Sequence, residues 1–441
     1  MSTTNSIPLV AARFSSHLGG RCSGLAVLAA ALSLGGCGRL LDGEEREGFG
    51  TVADAGSDTG DAGEDAGSAD DGGENSPTCW DGEVQPGEIC QTQGPDLPAG
   101  IDPCSLSVAD LDDDGRPDLA VPNSNWILPA GSTHVTNILR GFGNGNFAAA
   151  VAYDAGAELP VGLATGDFDG DGDLDVATAN NDANAAFVAL NQGGMSFADA
   201  SEAPLGTVAS SIEAGDVNGD GVDDLLVATP EGLAVIVQDF GGGVQWIDMV
   251  DTGGGSPMHA ELVDINGDGN LDIIAAVMDP IGEGDRVMIF RGAGDGSFPE
   301  FVSHPLSGDP WWVVAGDLNM DGDLDLAVAD YGSNKISILL GNDQGGFSQR
   351  TELDVCVGPQ SVEIADMNLD GASDLVVGCM ESDRVEMWIQ TDEGQFELAR
   401  WWTTGLRPVS VQVADLNLDG VPDIAWANQY SDSIGMVLSH P

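Results

Sequence analysis

Short apolar runs, separated by Gly- and Asp-rich breaks, fill most of the chain. Around Asp317 the order is WWVVAG, the acidic loop DLNMDGDLD overlapping the run LDLAVA, the polar turn DYGSN, then KISILL, the Gly-rich turn GNDQGG and a further run beginning near Phe347. Apolar runs this short, bounded by turn residues, predict β-strands rather than helices. Each unit of roughly 50 residues is therefore expected to hold four strands.

The acidic break is a nine-residue motif with Asp at positions 1, 5 and 9, Asp or Asn at position 3 and Gly at position 6. Its copies are DLDDDGRPD at Asp110, DFDGDGDLD at Asp167, DVNGDGVDD at Asp216, DINGDGNLD at Asp264, DLNMDGDLD at Asp317, DMNLDGASD at Asp366 and DLNLDGVPD at Asp415. The starts are 57, 49, 48, 53, 49 and 49 residues apart, and a proline stands seven residues ahead of six of them, with Ala209 the exception. A period of this length means a solenoid or a propeller, and β-helix coils are much shorter. Seven four-stranded units lie within the range of about four to eight propeller blades. The expected fold is thus all-β, a seven-bladed β-propeller. The seventh unit stops at IGMVLSHP, after its third strand, so GEICQTQGPDLP is expected to supply the missing outer strand and remove an exposed edge.

Charge narrows the partners. The 441 residues carry 73 Asp plus Glu against 13 Lys plus Arg, a net charge of -60, which disfavours nucleic acid and anionic membrane and favours cations. Ahead of the repeats, Arg13 and Arg21 precede GLAVLAAALSLGG, an apolar run too short to span a membrane and shaped like a signal peptide over residues 1–36. LSLGGC resembles the bacterial lipobox, which implies lipidation of Cys37, export, and anchorage to the bacterial envelope by lipid alone; cleavage without a lipid is the alternative. Residues 37–78 are rich in Gly, Ala and acid and are expected to form a disordered spacer, with the propeller over 79–441. Cys79 with Cys90 and Cys356 with Cys379 are the expected disulfides, Cys104 is left over, and no CxxC appears.

The loops, together with GFGNGNF at Gly141, GAGDGSF at Gly292 and DQGGF at Asp343, resemble the FG-GAP/VCBS repeat of integrin α-subunit propellers and bacterial surface proteins. The third and seventh copies lack the Gly-x-Phe turn. A hard divalent cation takes six to eight oxygens, and side chains at positions 1, 3, 5 and 9 plus a carbonyl at 7 can wrap one. An EF-hand would need Glu at position 12, where Val121, Thr178, Val227, Ala275, Val328, Val377 and Trp426 stand instead. The resemblance places calcium on Asp110, Asp112, Asp114 and Asp118; on Asp167, Asp169, Asp171 and Asp175; and on Asp216, Asn218, Asp220 and Asp224. It continues with Asp264, Asn266, Asp268 and Asp272; Asp317, Asn319, Asp321 and Asp325; Asp366, Asn368, Asp370 and Asp374; and Asp415, Asn417, Asp419 and Asp423. About seven calcium ions are expected.

Catalytic signatures are missing: there is no GxSxG, HExxH, GxxxxGK[ST] or helix-opening GxGxxG. The expectation is a monomeric, non-enzymatic binding, adhesion or scaffolding module; a calcium-dependent lectin is the alternative and a polysaccharide lyase a less favoured one. Its unknown protein or glycan ligand is expected on a face carrying Trp126, His259, Trp311, Trp312, Tyr331, Trp426 and Tyr430, with filling of the blade wedges the competing role for Trp311 and Trp312. Trp401 and Trp402 are expected to be packing residues. Glu213, Glu261 and Glu363 share one register three residues before their loops, at the expected mouth of the channel.

Overall fold

The computed structural model describes residues 90–124, 135–154, 156, 159–279, 284–342, 344–392 and 394–441. The expected leader, Cys37, the spacer, Cys79 and Trp126 lie outside them. Seven antiparallel sheets follow one another along the chain. Their inner strands, Ser107–Ala109, Pro160–Gly166, Ser211–Gly215, Ser256–Val263, Pro310–Gly316, Pro359–Ala365 and Pro408–Ala414, contact one another in sequence, and the last returns to the first. The result is a closed seven-bladed propeller. Among the described residues the only helical pieces are two 3-10 turns, Tyr331–Ser333 and Gln429–Ser431.

Burial follows from that arrangement. Second strands such as Asp118–Asn123 and Asp325–Asp330 are buried along their whole length, because both faces of the sheet meet neighbouring blades. Fourth strands such as Glu300–Pro305 are almost entirely exposed. The core is accordingly not one mass but a set of apolar clusters, one at each blade-to-blade contact: Leu226 and Val235 pack on Ile273 and Met288, and Ile274 and Ile289 pack on Val313 and Leu326.

The repeated prolines have a local reason. In five inner strands (Pro160, Pro257, Pro310, Pro359 and Pro408) the register jumps one residue after proline, so proline opens the strand beside a bulge where no N–H is required. The ring closes as the truncated last unit requires. Cys90–Gln93 pairs antiparallel with Ser433–His440, Cys90 opposite His440 and Gln93 opposite Val437, and forms the outermost strand of the seventh blade. Cys356 and Cys379 are joined by a disulfide. Cys90 is disulfide-bonded too, and so is Cys104, which the sequence left over.

Candidate functional site

All seven acidic loops connect the first and second strands of a blade and share one hydrogen-bond pattern. The position-1 carboxylate accepts the backbone amide of position 5 at 3.0–3.2 Å and that of the position-6 glycine at 2.7–3.0 Å. That glycine has φ between 79° and 95° in every copy, a region that side-chain-bearing residues avoid. The position-2 side chain, Leu111, Phe168, Val217, Ile265, Leu318, Met367 or Leu416, is buried in each loop and pins it to the core.

Position 9 serves as a second pin. Asp118, Asp175, Asp224, Asp272, Asp325, Asp374 and Asp423 are all 0% exposed. One oxygen accepts an amide at the end of the third strand at 2.6–2.9 Å. The other accepts the position-2 amide at 2.9–3.1 Å in six loops. Burial raises these carboxyls against the opposing pull of their backbone amides: Asp175, Asp224 and Asp423 to about 7, and Asp325 and Asp374 to about 6. Asp224→Ala would leave the buried amides of Val217 and Gln238 without acceptors, at about 1–3 kcal/mol each. A denaturation midpoint below that of Asp224→Asn, itself below wild type, is the expected order.

The Gly-rich turns meet the loops at the same place. Gly141, Gly292 and Gly341 donate the third-strand amide to position 9, and a Cβ on any of them would lie 2.0 Å from the carbonyl oxygen of Pro117, Leu271 or Leu324. Close backbone approach is what makes glycine necessary there.

The donor sets suit a hard cation. Oxygens of Asp110, Asp112 and Asp118 lie within 4.8 Å of one another, as do those of Asp167, Asp169 and Asp175. Asp112 Oδ1 and Asp114 Oδ1 are enclosed without hydrogen-bond partners. In five loops the position-3 side chain is an amide whose oxygen accepts the position-5 N–H. Two arginines were missed in the sequence. Arg140 bonds Asp114 at 2.8 Å and Arg291 bonds Asp272 at 2.8 Å. Each stands immediately before the glycine that opens a Gly-rich turn, a position that could have singled them out.

The expected ligand face is only partly assembled. Trp311 and Tyr331 meet with ring centroids 5.1 Å apart, and the Tyr331 hydroxyl donates to Glu381 at 2.9 Å. Arg407 lies over Tyr430, 4.7 Å from the ring centroid, and donates to its hydroxyl at 2.8 Å. Exposed Val357 and Leu406 stand on the chain segments leading into the sixth and seventh blades. Trp426 is not on that face: it is fully buried between the last two blades, packed on Gly435, where a Cβ would come within 2.3 Å of its ring. His259 is buried as well, stacked on Trp312 at 3.7 Å in the channel wall. Trp402 packs inside as expected, whereas Trp401 is exposed beneath Arg384.

The family described as FG-GAP-like repeat matches residues 167–227, 216–275, 264–328, 317–377 and 366–426, together more than half of the chain. No curated protein sequence matches. Among solved structures, BBS1N crystallised in complex with ARL6DN is similar at 14% identity and a TM-score of 0.54, covering 78% of this chain and 96% of that one. A lectin from Agrocybe aegerita that recognises non-reducing terminal N-acetylglucosamine matches at 19% identity and a TM-score of 0.47, over 78% of this chain and 92% of that one.

Proposed function

Because the chain belongs to the FG-GAP-like repeat family, we propose that it is a calcium-loaded scaffold that holds a protein partner on one face of the propeller and catalyses no reaction of its own. The observation carrying the calcium reading is the common geometry of the seven loops, in which side-chain oxygens at positions 1 and 3 gather around the position-5 amide and enclosed oxygens of Asp112 and Asp114 lack partners. Bound calcium would supply the positive charge that these carboxylates lack. Arg140 and Arg291 already neutralise part of the first and fourth loops, so those two should bind most weakly. Calorimetric titration of chelator-stripped protein should give about five to seven calcium ions per chain. Fewer than two would overturn the reading.

For the partner, the favoured surface is the cluster of Trp311, Tyr331, Tyr430 and Arg407, since Trp, Tyr and Arg carry most of the energy in protein interfaces. The propeller of BBS1N, crystallised with the protein ARL6DN, is a precedent at the level of fold. The lipobox-like LSLGGC and the acidic stretch behind it support an exported chain tethered to a bacterial envelope through Cys37. Retention of an envelope protein by the calcium-loaded chain should fall at least about tenfold in Tyr331→Ala and Arg407→Ala with an unchanged melt. Saccharide hits on a glycan array that vanish in Trp311→Ala would favour a lectin instead.

A further inference from the structure

The inner strands surround an axial channel, and part of it widens into a cavity of about 190 Å³, far above the ~10–15 Å³ that one water needs by this measure. Ser211, Glu213, His259, Trp311 and Trp312 line it, and neither Lys nor Arg does. His259 is 2% exposed, yet neither ring nitrogen makes a hydrogen bond, and its Nε2 stands 3.6 Å from Glu213 Oε1, beyond hydrogen-bond reach. The buried Ser211 hydroxyl also lacks a partner. Two buried polar side chains without hydrogen-bond partners, His259 and Ser211, therefore border one space beside the Glu213 carboxylate and the two indoles. An unpaired buried polar group is costly, so their convergence points to a ligand that satisfies them.

The register of Glu213 sets the charge. Glu261 and Glu363 occupy the equivalent positions one and three blades further around the ring; Glu261 accepts the Ala315 amide at 3.3 Å and Glu363 accepts Gln412 Nε2 at 3.1 Å. Burial first, and then repulsion from Glu213, pushes the Glu261 carboxyl well above its usual range and that of Glu363 up to about 8. A cation entering here would relieve that repulsion. A bare metal ion fits poorly: among the described residues no three channel ligands come within 4.8 Å of one another, whereas three do in the first and second loops.

We propose that the cavity binds a small organic ammonium ion, whose N–H groups donate to Glu213 and His259 and whose alkyl part lies against Trp311 and Trp312. An ammonium head offers three donors, and indole walls attract cations electrostatically. The test is titration of the calcium-saturated full chain with n-butylammonium chloride at constant ionic strength, read by tryptophan fluorescence and calorimetry, beside its neutral isostere 1-butanol. Saturable binding of the ammonium and not of the alcohol is expected, weakened at least about tenfold by Glu213→Gln and by Trp312→Leu. Glu213→Gln should not lower the melt, since that side chain is 37% exposed and its charge repels Glu261 and Glu363. Absence of saturation, equal binding of 1-butanol, or binding that survives Glu213→Gln would each overturn the proposal.

Discussion

Stripping divalent cations with EDTA is expected to lower the melting temperature of the full chain by more than about ten degrees. Extracellular calcium modules have dissociation constants of about 0.1–1 mM, and a site at the tight end of that range in about 1 mM calcium adds about 1.4 kcal/mol to stability. Seven sites would add on the order of 10 kcal/mol, comparable with the entire net stability of an ordinary domain. A calorimetric melt that does not move in EDTA would rule out a structural role for the loops.

Acid should partly rescue the chelated protein. Burial lifts the position-9 carboxyls of Asp325 and Asp374 to about 6 and those of Asp175, Asp224 and Asp423 to about 7 in the folded protein, against about 3.9 in an unfolded chain. Their ionised form therefore penalises the folded state fully above pH 7. As the pH falls from about 7 toward 4, the folded protein takes up protons that the unfolded chain does not yet bind, and stability rises. With calcium present the same acidification should bring no such gain, because protons then compete with the ion.

Removal of the closing strand is the second large effect. A chain beginning at Gly94 lacks Cys90–Gln93 and leaves the edge of Ser433–His440 open from Val437 to His440, while Leu97 and Pro98 still cover Ile434 and Ser433. Four residues of ladder at about 1 kcal/mol per hydrogen bond predict a melt lowered by more than about five degrees. The bared edge, apolar at Val437 and Leu438, should also drive concentration-dependent association. Light scattering that stays monomeric, with an unchanged melt, would show that the strand is dispensable.

Periodicity made most of this legible. The seven loop starts and the missing last strand fixed the number of blades and the way the ring shuts, because each depends on local spacing. Trp426 was misplaced for a reason equally local. Its position is the twelfth from the start of the motif, which in the other six blades holds Val121, Thr178, Val227, Ala275, Val328 and Val377, all buried. The repeat therefore marked that register as core, and size alone suggested otherwise. What accommodates the indole is Gly435 directly opposite, where the other blades carry Asn137, Phe187, Ala234, Met288, Ser337 or Glu386. Cross-strand compensation of that kind becomes visible only once partners are known. Repeat register placed Glu213 at the channel mouth and His259 with Trp312 on one expected face, but that His259 and Ser211 are buried there without partners follows only from the packing.

The pairing of Cys90 with His440 joins the first described strand to the last. During synthesis that first strand has no partner until Ser433–His440 has been made, so the earlier blades can stack while the seam waits. Loop-closure entropy grows only slowly with length, but so distant a contact ripens late. The shutting of that seam is then the expected last step in closing the ring, and until Ser433–His440 has emerged the stacked blades form an open arc.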